Sequence, residues 1–153
     1  MAELGALFES LGHTEVRTVI QSGNVIFSSE TPSTPRGLEI AIHEAFGVDI
    51  TVVLRTPAEI ARVVATNPFA GVDTAILHVG FLSREPAPGA AAALEAEPFM
   101  PEELAVSGSE LYFKLPNGMG RARLPGYVHR QLGIPTTVRN WKTVTKLVEL
   151  TRG

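Results

Sequence analysis

Short strand-like and helix-like segments alternate along this chain, and glycine or proline separates most of them. Apolar residues at the helical period predict six helices. One follows the 31–35 loop and ends at Gly47, and the others lie at residues 2–11, 57–66, 88–95, 125–132 and 141–150. Apolar runs bounded by turn residues predict a hairpin at 15–29 and strands at 49–55, 75–82, 103–106, 111–115 and 136–139. Such a chain of short helices and strands favours an α+β fold.

The order of these segments is αββαβα followed by βαββαβα. The second run is a complete ferredoxin-like unit, βαββαβ, with one closing helix at the C-terminus. The first run is the same unit without its opening strand. The sequence therefore predicts an α+β protein of two ferredoxin-like halves, residues 1–68 and 69–153, divided at Asn67-Pro68.

The opening strand of such a unit lies inside the sheet, and its absence leaves the backbone groups of two neighbouring strands without partners. We favour a start upstream of Met1, which would then be an internal methionine. The alternatives are that another segment of the chain, or another molecule, fills the gap.

Composition excludes several classes of protein. The chain has no cysteine, so disulfides and thiolate metal sites are excluded, and nothing indicates an oxidising compartment. No signal peptide is visible, and no apolar stretch approaches the roughly 20 residues of a membrane span. The four histidines are scattered without ligand spacing, so we expect neither a metal nor a cofactor. These features predict a cytosolic protein without a membrane partner.

Charge is distributed unevenly along the sequence. Residues 114–153 carry eight basic side chains and one acidic one, whereas residues 1–113 carry five basic and fifteen acidic ones. A skew of this kind suggests an anionic partner. The alternative is that the basic end docks against the acidic remainder of the same molecule. An isoelectric point near 5.8 argues against strong non-specific binding to nucleic acid.

Gln21-Ser22-Gly23-Asn24 joins the two strands of the predicted hairpin. Asn and Ser at a tight turn often satisfy local backbone groups, which is the structural interpretation. The functional interpretation is that Gln21, Ser22 and Asn24 contact a polar ligand, because sites often lie on loops held by rigid strands. Ser22 lacks the surroundings of a catalytic nucleophile.

A glycine-rich turn, Gly118-Met119-Gly120-Arg121-Ala122-Arg123, joins a strand to a helix. At Gly120 the backbone can approach a ligand, and amide groups at a helix start favour an anion. Arg121 and Arg123 could bind phosphate or carboxylate through two hydrogen bonds each. Neither the dinucleotide fingerprint nor the P-loop pattern is present, and a plain turn with solvated arginines explains the segment equally well.

Arg139-Asn140-Trp141-Lys142 precedes the last helix. Asn140 is placed to cap that helix, and Trp141 belongs to its apolar stripe. Arg139 and Lys142 are then left to face solvent, acidic side chains or an anionic ligand near the Gly120 turn. We interpret Glu102-Glu103 as the solvated start of a strand rather than as a catalytic pair.

Three motifs carry a resemblance to a known family: Gln21-Ser22-Gly23-Asn24-Val25, Gly118-Met119-Gly120-Arg121, and Arg139-Asn140-Trp141-Lys142-Thr143-Val144-Thr145-Lys146-Leu147. Over nearly its whole length the chain resembles the bacterial family called domain of unknown function 1697. The resemblance implies a duplicated, ferredoxin-like α+β architecture and no established activity. Family members open with a strand and an arginine- and glycine-bearing loop before the part that matches residues 1–4, so a site that used that loop would be incomplete here.

Three functions follow as hypotheses. The first is a binding module for an anionic ligand that carries phosphate, a nucleotide or RNA, because some ferredoxin-like sheets bind RNA bases. The second is an enzyme that holds a small anionic substrate between the halves with Arg121, Arg139 and Gln21, although no general base can be named. The third is a protein-interaction module, including a homodimer, in which the incomplete sheet gains a strand.

Overall fold

A computed structural model describes residues 2–19, 23–29 and 34–151 of the 153-residue chain. These residues form an α+β fold with five α-helices and two antiparallel sheets, one of two strands and one of four. Backbone contacts divide the chain into two compact units, Met1–Leu54 and Arg55–Gly153. The division at residue 68 that we predicted concerns an internal duplication, and it stays a prediction.

The first unit is built around a hairpin. Its elements are α1 (Ala2–Ser10), β1 (Thr14–Val19), β2 (Asn24–Ser28) and α2 (Pro35–Phe46), and β1 pairs with β2 in antiparallel register. The rings of Phe8, His13 and Phe27 lie 4.5–5.8 Å apart. Thr34 caps α2 by accepting the Gly37 amide at 3.0 Å, and Gly47 ends the helix at a φ of 70°. The predicted α-helix, hairpin and second helix are confirmed.

The strand predicted at 49–55 is wrong. These residues form no strand, and the Val52 amide donates to the Glu39 carboxylate of α2 at 2.8 Å. Among the described residues, β1 and β2 pair only with each other, so the segment has no ladder to join. A segment rich in β-branched residues has a high strand propensity, but it forms a strand only where a neighbouring strand can pair with it.

The second unit carries a four-stranded sheet. Its helices are α3 (Pro57–Ala65), α4 (Leu124–Leu132) and α5 (Trp141–Thr151), and its strands are β3 (Leu77–Leu82), β4 (Glu103–Ser107), β5 (Glu110–Lys114) and β6 (Thr136–Asn140). The spatial order is β4-β5-β3-β6, and every neighbouring pair is antiparallel. Thr56 and Glu59 cap α3 reciprocally, as their spacing predicts.

The two faces of this sheet pack against different helices. Leu82, Leu111 and Phe113 belong to a buried cluster with α4, in which Leu124 and Val128 are inaccessible to solvent. Side chains alternate along a strand, so Tyr112 faces the other way, and its hydroxyl donates to the Val63 carbonyl of α3 at 2.8 Å. Helix α5 packs beside α3.

The helix predicted at 88–95 is also wrong. Residues 88–93 form successive turns, followed by a short 3₁₀ segment at Glu97–Phe99. Alanine favours a helix, but Gly89 has a φ of 86°, which an α-helix does not allow. Pro86 and Pro88 also remove two amide donors from the start of the segment.

Candidate ligand-binding site

The end of the four-stranded sheet brings two of the predicted basic motifs to one side of the second unit. Strands β5 and β6 both run antiparallel to β3, with Lys114 opposite Leu77 and Asn140 opposite His78. The turn that follows β5 and the helix that follows β6 therefore leave the sheet at the same end. This end carries Gly120, Arg121 and Arg123 on one segment and Asn140 and Lys142 on the other.

The Gly118–Arg123 turn is open to solvent. Gly118 has a φ of 83°, and Met119–Arg121 form one 3₁₀ turn. A Cβ built on Gly120 would meet nothing within 4 Å, so the backbone there is accessible to another molecule. The side chains of Arg121 and Arg123 are exposed.

A carboxylate of the protein itself occupies the start of α4. Glu102 is 8% exposed, and its Oε1 accepts the amides of Leu124 at 2.8 Å and Arg123 at 3.1 Å. The interpretation of Glu102 as a solvated residue at the start of a strand is wrong, because these amides draw it into the protein. The amides that a helix start usually offers to an anion are therefore used internally, and a ligand here depends on side chains.

Arg123 lies over an aromatic ring. Its guanidinium carbon is 5.9 Å from the centroid of Phe99, a distance typical of a cation–π contact. The Phe99 ring in turn contacts Tyr127 at 4.8 Å, and the Tyr127 hydroxyl accepts the Glu95 amide at 3.0 Å. The sequence does not mark Phe99, and it suggested only a solvated role for Glu102, because both lie more than twenty residues before Arg123 and only the tertiary fold joins them.

The three residues at the end of β6 differ in their surroundings. Asn140 accepts the Thr143 amide at 2.8 Å, which confirms it as the cap of α5, and Lys142 is exposed. Arg139 is partly buried, and burial lowers the pKa of its guanidinium. Its Nη1 donates to the Val138 carbonyl at 2.9 Å. Because Arg139 pairs with Val79, it points toward the face that α3 and α5 cover, away from α4.

Ion pairing distinguishes the basic residues of the C-terminal part. Lys114 pairs with Glu103 at 2.7 Å and Lys146 with Glu149 at 3.8 Å. No ion pair joins Arg121, Arg123, Arg130 or Lys142 to an acidic side chain in the part of the chain that the structure describes. Three of these four cations lie at the sheet end defined above, and Arg130 lies at the far end of α4.

His78 occupies the same end of the sheet. It lies on the central strand β3 between Phe113 and Asn140, on the face that packs against α4. Burial lowers the pKa of its imidazole, with a smaller opposing effect from a hydrogen bond to the backbone of Ile76. Its Nδ1 is buried and makes no hydrogen bond within the described residues.

The remaining predicted residues belong to the first unit. Gln21 and Ser22 lie outside the described residues. Asn24 is buried at 8% exposure, and its Nδ2 lies 3.4 Å from the Val19 carbonyl across the hairpin, which agrees with the structural interpretation of the turn. Whether these three residues bind a ligand stays a prediction.

A surface groove of about 350 Å³ lies on the first unit, along α2 and the segment after it. Three of its lining side chains are acidic, and His43 Nδ1 lies 2.8 Å from one of them, Asp49 Oδ1. The groove contains none of the predicted site residues. Among the described residues, no group of three or more histidine, aspartate or glutamate side chains is arranged to hold a metal ion. No described helix has the length and apolar character needed to span a membrane.

Comparison with protein-family models identifies a family for this chain. The model described as "Protein of unknown function (DUF1697)" matches residues 1–112, which is most of the chain. The chain belongs to the DUF1697 family. The matched region of this DUF1697 protein includes the Gln21–Val25 motif and ends before the Gly120 turn and the Arg139–Lys142 motif. Comparison with curated proteins and with solved structures found no match.

Proposed function

We propose that this DUF1697 protein is a cytosolic binding module for a ligand that carries phosphate. We further propose that the ligand binds at the end of the second-unit sheet where β5 and β6 terminate. The observation that carries the proposal is the group of exposed cations Arg121, Arg123 and Lys142, which form no ion pair with described acidic residues. Cations that share one end of a sheet without acidic partners give that end a positive potential, which attracts a multivalent anion. The planar guanidinium of arginine also donates paired hydrogen bonds whose geometry matches that of phosphate oxygens.

The fold supports this placement. We propose that the second unit is ferredoxin-like, because its order β6-β3-β5-β4 puts the fourth, first, third and second strands side by side, as a βαββαβ unit requires. Turns and a 3₁₀ segment stand where its first helix would be. The hairpin of the first unit would correspond to the second and third strands of a matching half.

The neighbourhood of the site supports an anion rather than a cation. Glu102 uses its carboxylate on two backbone amides, and Glu103 uses its own on Lys114. These two acidic residues at the same end of the sheet are therefore compensated within the protein. The open backbone at Gly120 leaves room for a ligand beside Arg121.

The test is calorimetric titration of the full chain with pyrophosphate, at low and moderate salt. We expect binding that weakens with salt, because it rests on exposed charges. The Arg121→Ala, Lys142→Ala double variant should lose most of the affinity. Arg130→Ala removes an equally exposed cation at the far end of α4 and should leave the affinity unchanged.

Two results would refute the proposal. One is the absence of pyrophosphate binding at low salt by a chain whose circular dichroism shows it to be folded. The other is an equal loss of affinity in the double variant and in two control substitutions at Arg130 and Arg62, which would indicate non-specific attraction to net charge.

A further inference from the structure

We propose that the ligand carries a nucleobase beside its phosphate, and that the base stacks on the guanidinium of Arg123. This inference rests on the proposed function and adds the chemical class of the ligand. The shared chemistry is that of a nucleotide, either free or as part of an RNA strand.

The first argument is the rigid support beneath Arg123. The guanidinium carbon of Arg123 lies over the Phe99 ring, 5.9 Å from its centroid, and the Phe99 ring is 4.8 Å from that of Tyr127. Phe99 is also partly buried beside the cluster formed by the sheet and α4. The guanidinium is therefore next to an aromatic pair that packs against the core.

The second argument is that the backbone holds both groups in place. Glu102 binds the amide of Arg123 through its carboxylate, and the Glu102 amide itself donates to the Phe99 carbonyl at 2.9 Å. Glu102 thus joins the segment that carries the ring to the segment that carries the guanidinium. Ligands that bind preorganised groups lose less conformational entropy than those that must order them.

The third argument is that the outer face of the guanidinium is accessible. Arg123 is exposed, and an arginine with one face on an aromatic ring still presents a second planar face to solvent. Nucleobases stack on guanidinium planes as well as on aromatic side chains. Arg121, two residues earlier, is placed to bind the phosphate of the same ligand.

The fourth argument is the apolar surface beside these groups. In the described part of the second unit, the exposed large apolar side chains are Met100 and Met119, at 65% and 41% exposure. Met100 follows Phe99 directly, and Met119 begins the 3₁₀ turn that contains Arg121. Thioethers pack favourably against aromatic rings, so these side chains suit the edge of a stacked base.

The experiment compares pyrophosphate, ADP and a short oligoadenylate RNA by titration calorimetry on the full chain. We expect ADP to bind more tightly than pyrophosphate, by roughly tenfold, because stacking adds to the phosphate contacts. Arg123→Lys keeps the positive charge and removes the planar group. It should lower the ADP affinity by a much larger factor than the pyrophosphate affinity, because it abolishes stacking but keeps the charge.

Arg130→Lys is the matched control, since it makes the same substitution at an exposed arginine of α4 away from Phe99, and it should retain the preference for ADP. Phe99→Leu is a second variant, which removes the ring beside the guanidinium. It should reduce the preference for ADP over pyrophosphate, and a thermal melt would establish that it is folded.

The outcomes separate this inference from the proposed function. Equal affinity for ADP and pyrophosphate in the wild type, or an undiminished preference in Arg123→Lys, would overturn the stacking inference and leave the phosphate site standing. No binding of any of the three ligands would refute both. A preference for the RNA over ADP would identify a strand as the source of the nucleotide, and equal affinities would identify the free nucleotide.

Discussion

The Oε1 atom of Glu102 accepts the backbone amide of Leu124, the first residue of α4, at 2.8 Å. Arg123, the residue before the helix, has no side-chain capping bond of its own, so a residue remote in sequence caps α4. We expect Glu102→Ala to lower the free energy of unfolding by about 1–2 kcal/mol, as the loss of a helix cap does. Urea denaturation measures this change.

Glu103→Ala is the matched control for that experiment. Glu103 pairs with Lys114 near the surface, where ion pairs contribute about 0–1 kcal/mol. A loss in Glu103→Ala as large as that in Glu102→Ala would contradict the capping role.

Arg55 joins Leu82 and Glu110 at the opposite end of the second-unit sheet, and we expect Arg55→Ala to be more destabilising than Glu102→Ala or Glu103→Ala. Its Nη2 donates to the Leu82 carbonyl at 2.8 Å and lies 3.0 Å from the Glu110 carboxylate, with both side chains less than 20% exposed. Arg55→Ala leaves that carboxylate without this partner, which should cost about 3 kcal/mol. Chemical denaturation of Arg55→Ala beside Arg62→Ala, an exposed arginine of α3, measures it. Equal stabilities of the two variants would show that the contacts of Arg55 contribute little to the free energy of unfolding.

Tyr112 should make stability depend on alkaline pH. Burial raises the pKa of its phenol above the ordinary value of 10.0. Because the unfolded chain ionises first, the stabilisation is complete below about pH 10 and is lost as the pH rises toward the folded pKa. Tyr112→Phe removes this contribution, so the difference in unfolding free energy between wild type and variant should shrink above pH 10. A constant difference between pH 8 and 11 would contradict it.

His78 should make stability depend on mildly acidic pH. Burial lowers the pKa of its imidazole below the ordinary value of 6.5. The stabilisation is therefore complete above about pH 6.5 and decreases as the pH falls toward the folded pKa, because the unfolded chain binds the proton first. His78→Gln should weaken this dependence between pH 7 and 5, measured by urea denaturation. His129→Gln, on the exposed side of α4, should keep the wild-type dependence.

Local signals in the sequence were sufficient for most elements of the fold. Thr34, Thr56 with Glu59, and Asn140 each mark the start of a helix through atoms a few residues apart, and all three caps are observed. The two errors, at 49–55 and 88–95, arose where local propensity was the only guide. A strand requires a partner from elsewhere in the fold, and one left-handed glycine is enough to interrupt an alanine-rich helix.

The candidate site was predicted only in part, for a related reason. Arg121, Arg123 and Lys142 stood out because basic residues and glycines cluster in the sequence. Phe99 did not, and Glu102 was interpreted as solvated, because their importance comes from a ring contact and a hydrogen bond that span more than twenty residues. Glu102 is buried while Met100, two residues earlier, is exposed, so this segment has no periodic pattern from which the role of Glu102 could be predicted.

The exposure of Met100 and Met119 has a chemical consequence for handling this protein. The chain contains no cysteine and three methionines, so its sulfur redox chemistry is confined to thioethers. Two of these lie in solvent, where oxidation to the sulfoxide turns an apolar side chain into a polar one. Oxidation by air or peroxide would therefore change the exposed Met100 and Met119 side chains before it damaged the core. Methionine sulfoxide reductase would reduce these sulfoxides back to methionine.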